Sequence, residues 1–379
     1  MIKLSPYIVM FFILMLISGC GADEKVIEDL AFIQTKGYDI IAGEDLEDDG
    51  EEVMYRLTTS APLVEPDREK PKISRVTTAR LNKEGIQLNA RTTERNIVSG
   101  QLRLLLYSKK VVENGLRPLL DVLERDPQIP ARAKLAIVEG EVNPLMEREF
   151  DEHPRTTIYL DELLEKEARF NVIPEIKVYQ FLRDLKDDGK DPTLPMIKLE
   201  EEGVAVNGLA FLKNDVYKTK LELDDSLIYF FLEKDVDQGD LNMSLPNPET
   251  GKNELVSFTS ISTERDISVE KMEESFDVNI EVEMKGTILE NIGDIDISDE
   301  EGQKEIEKLI EEYVTTKAEE IISFTQQSSV DPLGIGKKVR NSMSFKEWEE
   351  LNWREEWPGV RVNVEVDIDI RDFGMSVRG

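Results

Sequence analysis

Hydrophobic residues alternate strictly with polar ones in two segments of the second half of the chain. One segment runs from Phe276 to Met284, and the other from Val360 to Ile370. Alternation with a period of two is typical of strands that bury one face. Strands with one face in water belong to antiparallel or mixed sheets, so these segments predict such a sheet in the C-terminal part of the chain.

The longest helical pattern lies between those two strands. Its apolar residues recur at helical spacing from Ile306 to Ile322, and its opposite face is rich in Lys and Glu. Ser298, followed by Glu301, predicts a capping box at its start. The apolar stripe of this helix is expected to cover the apolar face of the sheet. A coiled-coil seam is the alternative, although the stripe is too wide and too short for one.

Strand patterns come first in the N-terminal half, and helical patterns follow. Asn82-Lys83-Glu84-Gly85 predicts a hairpin turn between two of the strands. After the last helix, the segment 186–195 is polar and contains Gly and Pro, which favours a domain boundary. The predicted elements are strands at 29–38, 53–61, 73–81, 86–93, 102–107 and 203–211, helices at 115–123, 157–170 and 174–185, a helix or strand at 227–232, and a loop at 240–253.

These patterns predict an α+β fold of more than one domain, with mixed or antiparallel sheets and packed helices. A length of 379 residues suits about two domains. The expected organisation is a leader at 1–19, an N-terminal α+β domain at 20–190 and a C-terminal α+β region at 191–379. That last region could divide further into a middle domain at about 196–255 and a C-terminal domain at about 256–379.

The first twenty residues have the features of a lipoprotein signal peptide. Lys3 precedes an uncharged stretch from Leu4 to Gly19, whose apolar part is short for a membrane-spanning helix. The stretch ends in Ile17-Ser18-Gly19-Cys20, which is the aliphatic-small-small-Cys order of a bacterial lipobox. Cys20 would carry a diacylglycerol thioether and become the mature N-terminus. A retained signal-anchor helix with an incidental cysteine is the alternative.

The charge balance excludes several classes of function. The chain has 79 Asp and Glu residues against 47 Lys and Arg residues, a formal net charge of −32. That balance argues against nucleic-acid binding. It also disfavours electrostatic docking on anionic lipid, so membrane attachment would be covalent or apolar. One histidine and one cysteine exclude a Cys/His zinc site and a disulfide within one chain.

Residues that could carry catalysis are few. His153 lies in a charged, proline-containing segment and is expected in an exposed loop, which leaves no histidine for a nucleophile. The acidic run 44–52 is expected to be a solvated hairpin loop. A calcium loop is the alternative there, but the run lacks the ordered ligand positions of an EF-hand.

Two motifs near the C-terminus have a structural and a functional interpretation. Asp367, Asp369 and Asp372 could form a ligand cluster, but the first two alternate with apolar residues and are expected on a solvent face. Gly334-Ile335-Gly336 lacks the strand and helix that frame a dinucleotide loop, so it is interpreted as a turn after the long helix.

The tryptophans Trp348, Trp353 and Trp357 could form a binding patch. Packing of a helix against the final strand is the plainer interpretation. With these residues assigned, nothing in the sequence supports an enzyme, and we expect no cofactor and no metal.

Short motifs in a fixed order connect the whole chain to a known family. Near the N-terminus Cys20 precedes Ile27–Ile33, which leads to Gly37-Tyr38-Asp39. Further along are Gly100-Gln101-Leu102-Arg103, Gly115-Leu116, Leu123-Glu124-Arg125-Asp126, Gly208-Leu209-Ala210-Phe211, Asp331-Pro332-Leu333-Gly334-Ile335-Gly336, Trp353 and Trp357-Pro358. In order and spacing these motifs resemble the Ger(x)C family, the lipoprotein C subunits of bacterial spore germinant receptors. One departure is Gly21-Ala22-Asp23, where the family usually has Trp-Asp after the lipid-bearing cysteine.

The resemblance implies a non-enzymatic subunit with an α+β fold. Such a subunit acts beside multi-spanning A and B membrane subunits on the outer face of the spore inner membrane, held there by its lipid. The complex starts germination in response to nutrients such as amino acids, sugars or nucleosides. The resemblance does not identify the germinant, and it does not show that this subunit contacts the germinant. A solute-binding lipoprotein that serves a transporter is the alternative, and a lipid-anchored hydrolase is a third, weakened by the single histidine.

Overall fold

The computed structural model describes residues 29–41, 53–62, 72–150, 153, 155–272 and 275–373. The predicted leader at 1–19, Cys20 and the acidic run 44–52 lie outside the described residues. The described chain is α+β, as predicted, with two domains built on an eight-stranded and a four-stranded sheet. No helix within the described ranges combines the length and the apolar character needed to cross a bilayer.

The eight-stranded sheet has a parallel centre and antiparallel flanks. Its order is β10-β9-β8-β7-β6-β2-β3-β4, and β2, β6, β7 and β8 run parallel. The central strands are short apolar runs that are buried on both faces, as helix-covered parallel strands are. The strand bounds are β2 Thr35–Ile41, β3 Met54–Pro62, β4 Lys72–Ala79, β6 Leu104–Ser108, β7 Lys134–Glu139, β8 Thr193–Leu199, β9 Val204–Lys213 and β10 Val216–Leu221, while β1 Leu30–Phe32 and β5 Asn96–Val98 form a separate parallel pair.

Helices cover both faces of this sheet. The helices α2, α3 and α6 pack on one face, and α4, α5 and α7 pack on the other. Pro118 lies in the first turn of α3, where its missing N–H costs no hydrogen bond. The helix bounds are α1 Asn82–Ala90, α2 Lys109–Glu113, α3 Arg117–Arg125, α4 Val142–Glu147, α5 Thr156–Arg169, α6 Val178–Lys186 and α7 Ser226–Glu233.

The four-stranded sheet is mixed and is covered on one face by the long helix. Strands β11 Leu241–Pro246, β12 Asn253–Lys271 and β13 Phe276–Ile292 are antiparallel neighbours. Strand β14, Arg361–Asp372, lies parallel to β13, and α8, Glu300–Gln327, makes the crossover between them. The short helices α9 Ile335–Asn341, α10 Phe345–Glu350 and α11 Trp353–Glu356 follow α8. The helix-on-sheet arrangement that the alternation and the apolar stripe predict is confirmed.

One hydrophobic core runs through both domains. It includes Leu106 and Ala136 of the larger sheet, six of the eight residues of α7, and the inner faces of α8 and the smaller sheet. Seven of the eight residues of α7 are buried, because this helix lies between the two sheets. A second core lies on the far face of the larger sheet, beneath α2, α3 and α6.

The strand predicted at 86–93 and the hairpin turn predicted at Asn82-Lys83-Glu84-Gly85 are wrong, because residues 82–90 form helix α1. The inward side of α1 carries Asn82, Gly85 and Asn89, which have helical spacing but are not apolar. Asn82 accepts a hydrogen bond from the Tyr38 hydroxyl, and the Asn89 amide donates to Thr59. Burial of polar residues that are satisfied by tertiary partners conceals a helix from a hydrophobic pattern.

Two further predictions about local structure are wrong. The loop predicted at 240–253 contains strand β11, in which Leu241, Met243 and Leu245 are buried. Its Pro246 is tolerated because β11 is an edge strand. The long helix is capped by Asp299 and not by Ser298, since the Asp299 side chain accepts from the Gly302 N–H at 2.9 Å.

Strands up to β10 belong to the larger sheet, and strands from β11 onward belong to the smaller one. Strand β8 pairs with β7, and β9 and β10 extend the same sheet. The polar segment at 186–195 therefore runs between α6 and β8, inside the N-terminal domain. Its aspartates instead bond to residues of the C-terminal domain.

Lys36 on β2 is fully buried in the larger sheet. Its ammonium group has no hydrogen-bond partner within the described residues. Burial lowers the pKa of Lys36 to about 8, against the attraction of Asp126 and with a small contribution from Lys83. Below that pH the folded protein must hold a buried charge, which costs free energy.

We predict that Lys36→Met stabilises the protein at pH 7 by about 1–3 kcal/mol. In the wild type, the unfolded chain binds more protons than the folded protein between pH 8 and 10.5, so wild-type stability rises across that window. The advantage of the variant should be complete below pH 8 and vanish by pH 10.5. Denaturant unfolding at both ends of the window measures it.

Lys338→Met, at an exposed lysine, is the matched control and should change the free energy of unfolding little at either pH. Equal stability of Lys36→Met and the wild type at pH 7 would contradict an uncompensated buried charge.

Candidate functional site

Three segments that are distant in sequence meet where the two domains join. They are Asp187–Asp191, the turn Asp331–Gly336 with helix α9, and the tryptophan-containing segment 348–354. We call the contacts among them the junction network. The first segment belongs to the N-terminal domain, and the other two belong to the C-terminal domain.

The carboxylate of Asp331 is the centre of the junction network. Its Oδ1 accepts hydrogen bonds from the N–H groups of Gly334 at 2.8 Å and Ile335 at 3.1 Å. Its Oδ2 accepts from the Gly336 N–H at 2.7 Å and from Trp353 Nε1 at 3.0 Å. Four donors thus satisfy a carboxylate on a residue that is only 2% exposed.

Asp191 connects this centre to the N-terminal domain. Its Oδ2 accepts from the backbone N–H of Asp331 at 2.9 Å, and its own N–H donates to the Asp331 carbonyl at 2.8 Å. The remaining oxygen, Oδ1, pairs with the guanidinium of Arg354 at 3.0 Å. One aspartate therefore binds both C-terminal segments of the junction network.

A second group of contacts lies nearer the surface. Asp187 pairs with Arg340 of α9 at 2.9 Å and with Lys337 at 3.2 Å. Asp188 accepts from Trp348 Nε1 at 2.6 Å and also pairs with Arg340. These bonds hold helix α9 against the polar segment, in addition to the contacts made by Asp191.

Two glycines allow close packing at the junction, Gly189 against the backbone of the other domain and Gly336 against the Trp353 indole. A Cβ on Gly189 would lie 2.7 Å from the Lys337 nitrogen and 2.8 Å from the Gly336 carbonyl carbon. A Cβ on Gly336 would lie 2.3 Å from Trp353 Nε1. Only residues without a side chain fit at this distance, and the Lys337 N–H donates to the Gly189 carbonyl across the gap.

The electrostatics of the network favour a fixed structure over proton transfer. Burial raises the pKa of Asp331 to about 6, and the N–H donors limit the rise. Burial would also raise the pKa of Asp187, but the Gly189 N–H, Arg340 and Lys337 together hold it below its usual value. Because both Asp331 oxygens already accept two hydrogen bonds, the carboxylate has no free lone pair with which to act as a base.

The structure brings some of the sequence-selected residues together and separates others. Trp353 packs on Trp348 and Trp357, with ring centroids 6.2 and 5.7 Å away, and all three are buried. The packing interpretation of the tryptophans is confirmed, although two of the indoles also donate to aspartates. Gly334 has a φ of 74° in a turn that leads into α9.

The other candidates lie apart from the junction. Asp367 and Asp369 are exposed on β14, as their alternation predicted. His153 is exposed and stacks on the Tyr159 ring at 4.2 Å. No group of three His, Cys, Asp or Glu residues with metal-binding geometry occurs in the described part of the chain.

The residues that sequence reasoning missed are those of the polar segment and their cationic partners. Asp187, Asp188 and Asp191 were assigned to a linker because they accompany Gly and Pro. Two features of the sequence could have indicated these contacts. One is the density of aspartates, three within residues 187–191, and the other is the helical spacing of the basic residues Lys337 and Arg340. The pairing of these aspartates with the basic residues spans about 150 residues, so no local sequence pattern indicates it.

Comparisons with known proteins cover both domains. A family model described as "Spore germination protein N-terminal domain" matches residues 23–199, and one described as "Spore germination B3/ GerAC like, C-terminal" matches residues 207–374. The unmatched residues 200–206 comprise the turn after β8 and the first three residues of β9. The junction network therefore joins the two matched regions.

Individual relatives agree with these matches. The chain is 24% identical to spore germination protein GerQC of Bacillus cereus over 295 residues, 77% of this chain and 81% of that protein. It is 20% identical to putative spore germination protein YfkR of Bacillus subtilis (strain 168) over 294 residues, 74% and 73% of the two. The crystal structure of the GerBC protein matches with a TM-score of 0.57 at 14% identity, covering 89% of this chain and 97% of that one. That last likeness shows the fold alone.

We predict that Asp331→Asn destabilises the protein by about 2–4 kcal/mol. An amide has one acceptor oxygen, so its NH₂ group would face two of the four N–H donors. Denaturant unfolding measures the loss. Limited proteolysis should also cut the variant faster within 186–192, because that segment is held by the same network.

Asp367→Asn, on the exposed face of β14, is the matched control and should stay within about 0.5 kcal/mol of the wild type. Equal stability of the two variants would mean that the Asp331 carboxylate does not hold the junction.

Proposed function

The chain belongs to the Ger(x)C family of spore germination proteins, and on this premise we propose that it is a lipid-anchored subunit of a nutrient germinant receptor. It would act beside multi-spanning A and B subunits on the outer face of the spore inner membrane, through protein contacts and not by catalysis. The observation that carries the proposal is the extent of the family matches, which span residues 23–374 with one short gap at 200–206.

The chemistry of the described residues supports a role in binding and not in catalysis. The buried carboxylates of Asp331 and Asp191 are committed to hydrogen bonds and one ion pair. His153 lies at the surface against Tyr159. Neither arrangement offers a base beside a nucleophile, which covalent and general-base mechanisms both need.

The architecture speaks against the solute-binding alternative. Proteins of that class enclose their ligand between two α/β lobes of similar construction. Here the two sheets differ in strand number and direction, and one hydrophobic core passes through both. The junction network and the shared core would oppose the opening of a cleft between the domains.

We predict that spores lacking this gene lose their response to one class of nutrient. The response should be measured across a panel of single nutrients, with a chemical trigger that bypasses receptors as the control. The physical reason is that the membrane subunits would lack their lipid-anchored partner. Restoring the gene should restore the response.

An unchanged response to every nutrient, in a strain without close paralogues, would contradict the receptor proposal. Recovery of a transporter instead of multi-spanning receptor subunits in a pull-down would favour the solute-binding alternative.

We predict that Cys20→Ala abolishes lipid attachment while the protein still folds. The thiol is the only group in the chain that can form the thioether, because Cys20 is the sole cysteine. Metabolic labelling with an alkyne fatty acid should mark the wild type and not the variant. Ser18→Ala, which keeps a small residue beside the cysteine, should be labelled like the wild type, and labelling of Cys20→Ala would refute the lipid anchor.

A further inference from the structure

The end of the larger sheet at which β2, β6 and β7 begin is where the N-terminal segment joins the fold. Thr35, Leu104 and Lys134 lie in register there, and we call this end the leading edge. The Arg103 N–H donates to the Gln34 carbonyl at 2.8 Å, and the Lys134 N–H donates to the Arg103 carbonyl at 2.7 Å. The chain therefore joins the sheet directly beside two basic residues.

A cleft at the leading edge concentrates positive charge. Six basic side chains line it against three carboxylates, in a chain whose net charge is −32. We call it the basic cleft. Its basic residues are Arg103, Arg132, Lys134, Arg169, Lys177 and Lys234.

Ion pairs within the protein do not use all of these cations. Lys134 is nearly buried and pairs with Asp161 at 2.9 Å, so its charge is satisfied internally. The Arg169 side chain is 68% exposed, and its nearest paired carboxylate is 3.7 Å away. Arg132 is exposed and makes no ion pair with any described residue. Two guanidinium groups therefore face solvent and can bind an external anion.

The chain length before the fold limits how far the leading edge can be from a lipid on Cys20. Eight residues separate Cys20 from Asp29, the first described residue, and the nine Cα-to-Cα steps between them span at most about 30 Å when fully extended. A tether of this length gives the basic cleft a high effective concentration near lipid headgroups. Because charges more than about 8–10 Å from the surface are screened, the acidic remainder of the protein would not prevent contact.

From these observations we propose that the leading edge docks on the anionic phospholipid headgroups of the bilayer that holds the anchor. The proposal rests on the lipid attachment of Cys20 that is proposed above. Phosphate groups match the fork geometry of the exposed guanidinium groups of Arg132 and Arg169. The net charge of the chain argues against electrostatic docking, but the position of the charges favours it at this one edge. Docking would fix the orientation of both domains, because the junction network holds them together.

The test measures the distance of the leading edge from the bilayer in the full lipidated protein. A fluorophore at Gln128→Cys, in the exposed loop before β7, reports the leading edge. A fluorophore at Lys110→Cys, just after the carboxyl end of β6, reports the opposite end of the strands. The protein is placed in phosphatidylcholine vesicles with or without phosphatidylglycerol, and headgroup-attached nitroxide is the quencher.

We expect phosphatidylglycerol to increase quenching at Gln128→Cys and not at Lys110→Cys. Arg132→Glu with Arg169→Glu should remove the whole increase, because the two exposed cations are reversed. Lys308→Glu with Lys346→Glu is the matched control: it changes the charge equally, and each lysine is an exposed partner of an i,i+4 glutamate, like Arg169. This control should keep the increase.

The remaining outcomes separate this proposal from the function on which it rests. Equal quenching at both positions, in protein that still floats with the vesicles, would overturn docking and leave the anchor intact. Protein that does not float would refute the anchor and with it the docking. Loss of germination in the Arg132→Glu, Arg169→Glu variant with unchanged quenching would show that the basic cleft meets an acidic protein partner instead of lipid.

Discussion

Burial of the Asp331 carboxylate is the constraint on which the relative position of the two domains depends. A carboxylate removed from water is stable only where other donors replace the lost hydrogen bonds. Three of its four donors come from the turn that follows it and one comes from Trp353. Since the Asp331 N–H is bound by Asp191, the carboxylate and the polar segment must move together. The ion pairs of Asp187 and Asp188 with Arg340 are more exposed and contribute less.

The shared hydrophobic core and the junction network reinforce each other. Helix α7 is apolar on nearly every side and lies between the sheets, so separation of the domains would expose it. The Tyr229 hydroxyl of α7 also donates to the Pro332 carbonyl at 3.3 Å, beside the buried carboxylate. A polar network alone would fix the relative orientation of the domains but would add little to the free energy that holds them together. An apolar interface alone would hold the domains together but would allow one to slide over the other. Together they hold the two domains in one fixed arrangement.

The parts of the fold that could be predicted are those in which the local pattern of apolar and polar residues shows which face is buried. The alternation in β13 and β14 and the stripe of α8 expose one polar face and one apolar face, so their burial follows from the sequence. Helix α1 could not be predicted, because its inward residues are asparagines and a glycine whose partners lie on other strands. The junction network could not be predicted for the same reason. Asp191 resembles a linker residue until Asp331 and Arg354, each more than 130 residues away, are brought beside it.

The charges of the protein likewise have local effects that the overall composition does not predict. A net charge of −32 describes the chain as a whole, but a binding surface experiences only the charges within about a Debye length. On the smaller sheet, Glu264, Glu283 and Asp367 lie opposite one another across three strands, an arrangement that costs stability. The larger sheet instead gathers six cations at the edge where the chain joins the fold. A lipid tether attached at that edge would bring these cations to the membrane before the acidic residues. The junction network would then hold the acidic domain in a fixed orientation relative to the membrane.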